Sequence, residues 1–259
     1  MTGAWQSFVV RIEAALATVT INRPDKRNAL TIEMWQELSA ICAALRSDPD
    51  VRVVVLTGAG PSFCAGADIS ALSADDAMMK AVVQEAEEAL RTLPMPTVAQ
   101  IRGHCLGGGN QLAVACDLRI ADSTAVFGVP PAKLSVVYPV NSTRSLVELI
   151  GPAAAKRLIF TAATIDAAEA LRIGLVDELV APDQLADATD RLVSAMLPMA
   201  PMTQTATKEL VNAIADGADA QALHARWYEE WEGSADGVEG PRSFLERRAP
   251  VFTWRRPPA

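Results

Sequence analysis

The run VRVVVLT, Val51–Thr57, ends in Gly58-Ala59-Gly60-Pro61, and its reading decides the fold. It is β-branched and too apolar for a strand with one wet face, so it predicts a strand buried on both faces. Upstream, Ser7–Glu13 (SFVVRIE) and Leu16–Ile21 (LATVTI) flank Ala14-Ala15, which predicts a hairpin. Asn22-Arg23-Pro24-Asp25 breaks the second strand. Thr31 is placed to cap a helix running to about Arg46, with Met34, Leu38, Ile41 and Leu45 on one face. Downstream, a second helix is expected from about Asp75 to Thr92, with Met79, Val82, Val83, Ala86 and Leu90 on one side. Pro94 and Pro96 end it. Thr97–Ile101 (TVAQI) is the next strand, and Gly107-Gly108-Gly109 leads into a small apolar helix to Cys116. Leu118–Ala121 and Ala125–Phe127 read as short strands. Strand, loop and helix thus alternate three times, an α/β pattern with parallel strands.

From about Asn141 onward almost every segment is helix-like, including Thr203–Ala215, Asp219–Trp231 and Val238–Arg248. This third carries Trp227, Tyr228, Trp231, Phe244, Phe252 and Trp254, yet is too small for a core of its own. It is expected to pack on the first part or on another subunit.

Composition narrows the function. The 259 residues are 50% hydrophobic and 21% charged, ordinary for a globular protein of one large domain with an appendage. The net charge of −8 argues against a nucleic-acid partner, because phosphate affinity needs positive charge. Cys42, Cys64, Cys105 and Cys116 form no CxxC pair, and His104 and His224 are the only histidines, so no metal site is expected. No secretory leader and no apolar run of about 18 residues is visible, so the expectation is a cytoplasmic protein without a membrane partner.

Three glycine-containing turns are candidate sites. Gly58-x-Gly60 lacks the third glycine of a dinucleotide fingerprint, since Phe63 stands there and no helix follows. Ala65-Gly66-Ala67-Asp68-Ile69 reads either as a structural turn or as a loop whose small side chains admit a ligand to the backbone. Gly107-Gly108-Gly109-Asn110-Gln111 reads either as a flexible joint or as a row of amide donors at a helix N-terminus. Two post-strand loops that each offer one N–H toward one point would make an oxyanion hole.

These loops, with Asn22-Arg23-Pro24, Asn28-Ala29-Leu30, Val54–Gly58, Phe63–Ile69, Ala115-Cys116-Asp117, Ala170-Leu171-x-x-Gly174-Leu175-Val176 and Phe244–Arg248, stand in an order and spacing that resembles the crotonase superfamily, the enoyl-CoA hydratase/isomerase family. The resemblance implies an α/β spiral of ββα units over about residues 1–200 and a helical oligomerisation region over 201–259, forming a homotrimer or hexamer. It implies an acyl-CoA partner, with coenzyme A as part of the substrate and no separate cofactor. The amides of Ala67 and Gly108 would hold the thioester oxygen. Arg27, Ala29, Leu30, Ala65, Asp68, Ile69, Leu106, Gly107, Pro130, Pro131 and Leu134 would line the substrate groove. Arg247 would meet the coenzyme A phosphates, in a segment, Arg242–Arg256, with five arginines against one glutamate.

The pattern breaks at the acid/base positions. Hydration needs one group to activate water and another to deliver a proton, and the family's hydratases use two glutamates for this. The resemblance places Gln111 and Pro131 at those positions. Residues Pro130–Tyr138 resemble the family's decarboxylase branch, which carries a tyrosine where Tyr138 stands; that branch has a histidine where this chain has Ala67. Tyr138 and Gln111 therefore join the catalytic candidates. The leading expectation is a decarboxylase-like lyase. The alternatives are an isomerase or hydratase with a displaced acid/base residue, such as Glu148 or Asp117, and a non-catalytic acyl-CoA binder.

Overall fold

A computed structural model describes residues 5–68 and 76–257. Strands β1 (Phe8–Glu13) and β2 (Leu16–Ile21) form the expected hairpin, with Glu13 opposite Leu16. Ala14 takes the left-handed conformation, φ 53°, that the two-residue turn requires. Thr31 caps α1 (Ile32–Ser47), its side chain accepting from the Met34 amide. Then follow β3 (Val53–Gly58), α2 (Asp76–Arg91), β4 (Thr97–Ile101), β5 (His104–Leu106), α3 (Gly108–Ala115), β6 (Leu118–Asp122) and β7 (Val126–Gly128). The rest is α4 (Pro131–Leu134), α5 (Val140–Thr161), β8 (Thr164–Asp166), α6 (Ala167–Arg172), β9 (Glu178–Val180), α7 (Leu185–Met196), α8 (Pro201–Ala215), α9 (Ala220–Glu232) and α10 (Ala235–Leu245).

The large sheet runs β1-β2-β3-β4-β6-β9, parallel everywhere except in the opening hairpin. Strand β3 is buried on both faces, and the alternation shows how. Val54 and Leu56 enter the main core with Trp35, Leu38, Phe63 and Leu90. Val53 and Val55 turn the other way, onto Val98, Ile120 and the α7 residues Leu185, Ala188 and Val193.

Each turn of the chain adds one strand to the large sheet and a second extended piece to a smaller layer. In that layer Leu30 pairs with Ala67, Cys64 pairs with Cys105, and β5 pairs with β7 and β7 with β8. Strands β5, β8 and β9, three residues each, are too short for an alternating pattern and are absent from the sequence reading.

The helical C-terminal third packs back on its own chain through polar contacts. Lys208 donates to Asp117 and to the Met95 carbonyl, and Arg91 joins Asp216. Val211, Ile214, Phe244 and Leu245 stay exposed.

Asn28 pins the second layer to the first. It is fully buried at φ 59°, accepts from the Arg23 amide, and donates to the carbonyls of Ala59 and Ser62. Asn28→Ala removes three hydrogen bonds and puts a side chain without a local partner into a left-handed conformation. The expected loss is about 2–4 kcal/mol of unfolding free energy in denaturant titration. A loss below about 1 kcal/mol would contradict the pin.

Candidate active site

Residues 64–68 are held between two neighbours. On one side Ala65 N donates to Arg27 O, Leu30 N to Gly66 O, and Asp68 N to Leu30 O. On the other, Cys64 N donates to His104 O, and Leu106 N to Cys64 O. Gly107 N then donates to Gly128 O. One stripe of extended chain therefore collects Arg27, Ala29, Leu30, Ala65, Ala67, Asp68, Leu106 and Gly107.

The start of α3 lies against this stripe because its residues lack side chains. A Cβ on Gly109 would fall 2.2 Å from Cys64 O. A Cβ on Gly108 would fall 3.3 Å from Ala67 N and 2.9 Å from Trp35 Cζ2, and one on Gly66 would come within 3.5 Å of Gly108 N. The Ala67 and Gly108 amides thus lie close to one another, beside the buried Trp35 ring. Neither amide donates a hydrogen bond among the described residues. Gly107, at φ 51°, precedes α3 without a side-chain cap, so the first-turn amides keep their donor capacity. Pro130 is brought to this corner, 3.9 Å from the position of a Gly107 Cβ.

Gln111 lies on the same side of α3 as Gly108, three residues on. It is buried, and its Nε2 donates to Ser142 Oγ at 2.7 Å. Ser142 in turn donates to Glu87 Oε2 at 2.6 Å, while Glu87 Oε1 has no partner among the described residues. Glu87 is 4% exposed. Burial pushes its carboxyl up to about 7, against the Ser142 hydrogen bond and the charges of Arg91 and Arg144; Glu88 adds to the rise. The sequence reading missed this group. Its signal was legible: Glu87 lies in the buried stripe Val83, Ala86, Leu90 of α2, where an apolar residue is the rule.

Tyr138 is partly buried against the main core, and burial with Glu87 nearby raises its phenol well above the ordinary range. Both amide atoms of the buried Asn110 lack partners among the described residues.

Arg23 bonds the Asp68 carboxylate at 2.7 Å and ties the loop. Pro131 is buried at the start of α4, whereas Leu134 at its end is exposed. Within the basic tail Arg242 pairs with Glu246, Arg248 with Glu239 and Glu246, and Arg255 with Asp50, while Arg256 donates to the Asp48 carbonyl. Arg247 alone of the five has no side-chain partner among the described residues, and no described contact joins it to either loop. Ile69 and the side chain of Met79 lie outside the described residues. His104 bonds Ser62 through Nδ1, while Cys105 is buried, so the two side chains face apart as strand neighbours should.

A cavity of about 610 Å³ lies elsewhere: Asp117, Arg119, Glu148 and Lys208 line it. Asp117 is committed to Thr97 and Lys208, and Glu148 is exposed, so neither is placed to serve the two amides. Neither the Ala67 nor the Gly108 amide lines that cavity.

A family model described as enoyl-CoA hydratase/isomerase matches residues 11–255. The (E)-benzylidenesuccinyl-CoA hydratase of Thauera aromatica is 38% identical over 92% of this chain and 95% of its own. The short-chain-enoyl-CoA hydratase of Clostridium acetobutylicum is 34% identical over 93% and 95%. The crystal structure of an enoyl-CoA hydratase from Bacillus anthracis superposes with a TM-score of 0.89 at 30% identity, covering 95% of this chain and 99% of that one.

The buried carboxyl has a stability signature. Its folded value, about 7, lies above the ordinary 4.5, so the folded state holds the proton more tightly. This contribution is fully present below about pH 4.5 and is lost as pH rises through about 7. The loss is on the order of 3 kcal/mol. Denaturant titrations at pH 5 and pH 8 should show a pH-dependent difference between wild type and Glu87→Gln, the wild type losing more stability toward pH 8. Equal pH dependence in the two would contradict the burial of an ionisable Glu87.

Proposed function

The chain belongs to the enoyl-CoA hydratase/isomerase family, and we propose that it acts on an acyl-CoA thioester by stabilising an enolate between the amides of Ala67 and Gly108. The observation that carries this reading is the pair of amides lying close together at the start of α3, neither of which donates a hydrogen bond among the described residues. A thioester oxygen set there gains negative charge as the enolate forms, and two donors already in place need no reorganisation to meet it.

Within this chemistry the reading is a decarboxylase-like lyase. The two positions where the family's hydratases carry glutamates hold Gln111 and Pro131, and neither side chain exchanges a proton near neutral pH. Decarboxylation needs no base. The bond between the α-carbon and the carboxylate breaks, CO₂ leaves, and the electron pair passes to the thioester oxygen. A proton then reaches the α-carbon from Tyr138, Thr143 or water. One observation favours a second reading, an isomerase or hydratase with a displaced acid/base group: Glu87 is a buried carboxyl one hydroxyl away from Gln111.

Incubation with a panel of malonyl-type and enoyl-CoA thioesters, read by product mass, tests both. The expected outcome is loss of CO₂ from a malonyl-type thioester and hydration of crotonyl-CoA far below an ordinary turnover of ~10 s⁻¹. Ordinary hydration with untouched malonyl thioesters would overturn the lyase reading in favour of the second. Gly108→Pro removes one donor and should lower turnover about 10²-fold. An unchanged rate in a folded variant would remove the oxyanion assignment.

The proposed assembly is a trimer or a multiple of it, supported by the exposed Val211, Ile214, Phe244 and Leu245 in the helical third. Light scattering should return at least three chain masses; a monomeric mass would contradict it.

A further inference from the structure

The polar chain behind Gln111 has a direction that its proton count dictates. Ser142 has one hydroxyl proton, and it goes to Glu87 Oε2 at 2.6 Å. Toward Gln111 that hydroxyl is left only as an acceptor. The Gln111 amide must therefore turn its NH₂ group to Ser142, as the 2.7 Å contact shows. Its carbonyl oxygen is then directed away from Ser142, and it accepts no hydrogen bond among the described residues. Gln111 stands three residues after Gly108, and side chains of a helix lean toward its N-terminus, here toward the two amides. A buried carboxyl with one oxygen unpartnered among the described residues is costly unless it serves a purpose, and fold alone assigns none to Glu87.

We propose that Glu87 is a positioning residue of this site: through Ser142 it turns the Gln111 amide so that the carbonyl oxygen, not the NH₂ group, faces the acyl group held at Ala67 and Gly108. The inference rests on the reading that an acyl thioester binds at those amides. A carbonyl oxygen beside the α-carbon holds a water by its proton, which places that water against the carbon where protons come and go.

When Glu87 takes up a proton the constraint disappears. The protonated carboxyl can donate to Ser142, whose hydroxyl then donates to the Gln111 carbonyl, and the amide reverses. The polarity that Gln111 presents thus follows the charge on Glu87, which changes around pH 7. The charged groups around Glu87 are Glu88 and Arg91 on its own helix and Arg144 on α5, with the Tyr138 phenol ahead of α5. Helix α1 brings Cys42 and Arg46, the latter bonded to Thr92, and α3 carries no ionisable side chain.

The test uses butyryl-CoA, a saturated thioester that can bind without completing a reaction. Its affinity is read by calorimetry, and exchange of its α-hydrogens with D₂O by mass spectrometry, across the interval either side of pH 7. In wild type the exchange rate should step by about tenfold or more as Glu87 ionises. Glu87→Gln and Ser142→Ala should bind butyryl-CoA within about threefold of wild type and lose the step. Ser142→Ala is the decisive variant, because it leaves the Glu87 charge in place and cuts only the link. A step that persists in Ser142→Ala, or a wild type that binds but shows no step, would overturn the proposal. A wild type that does not bind butyryl-CoA would remove the functional reading, and the inference with it, and the calorimetric arm reads that outcome by itself.

Discussion

The approach of the α3 N-terminus to the chain at Cys64 is the constraint on which the rest of the structure depends. With a side chain at residue 109, a Cβ would fall 2.2 Å from Cys64 O, and the helix would have to back away. Backbone-to-backbone contact of this kind is available only where Cβ is missing. Once it is made, the Ala67 and Gly108 amides lie close to one another, beside the buried Trp35 ring. Everything outside that contact supports it. Asn28 ties the first layer to the second, and the bonds from residues 27–30 and 104–106 grip residues 64–68 from both sides. On the proposed reading these amides form an oxyanion site, and donors made of backbone are as rigid as the fold, so no rotamer needs to be frozen when charge develops.

The second constraint is electrostatic. A carboxyl buried in the stripe of α2 should be replaced by an apolar residue if packing alone were at stake. Here burial raises it to about 7 rather than expelling it, and Ser142 connects it to the helix that begins with Gly108. The chain Glu87–Ser142–Gln111 gives this pocket a polar wall that still has an ionisable group at its end. The ionisable group thus stands one hydroxyl behind Gln111.

Much of this was legible in the residues. The β-branched run ending at Gly58 read as a doubly buried strand, and its side chains divide between two cores. The hairpin, the Thr31 cap and the two post-strand loops stand where their chemistry placed them. Strands β5, β8 and β9 were not legible, because three residues carry no period and their pairing is set by distant partners. Glu87 was legible only in hindsight, as one charge inside an apolar stripe. Its partner Ser142 was not, since nothing local predicts contact between residues 55 positions apart. The partners of Asp68 and of the arginine tail were likewise not legible: Arg23 bonds Asp68, and Asp50, Glu239 and Glu246 pair with arginines of the tail.

The most direct test of the central claim is a crystal structure of the protein with an acyl-CoA thioester bound. The account requires the thioester oxygen to lie within about 2.7–3.2 Å of both the Ala67 and the Gly108 amide nitrogens. A thioester oxygen that meets only one of those nitrogens, or an acyl group seated instead in the cavity lined by Asp117 and Lys208, would contradict it.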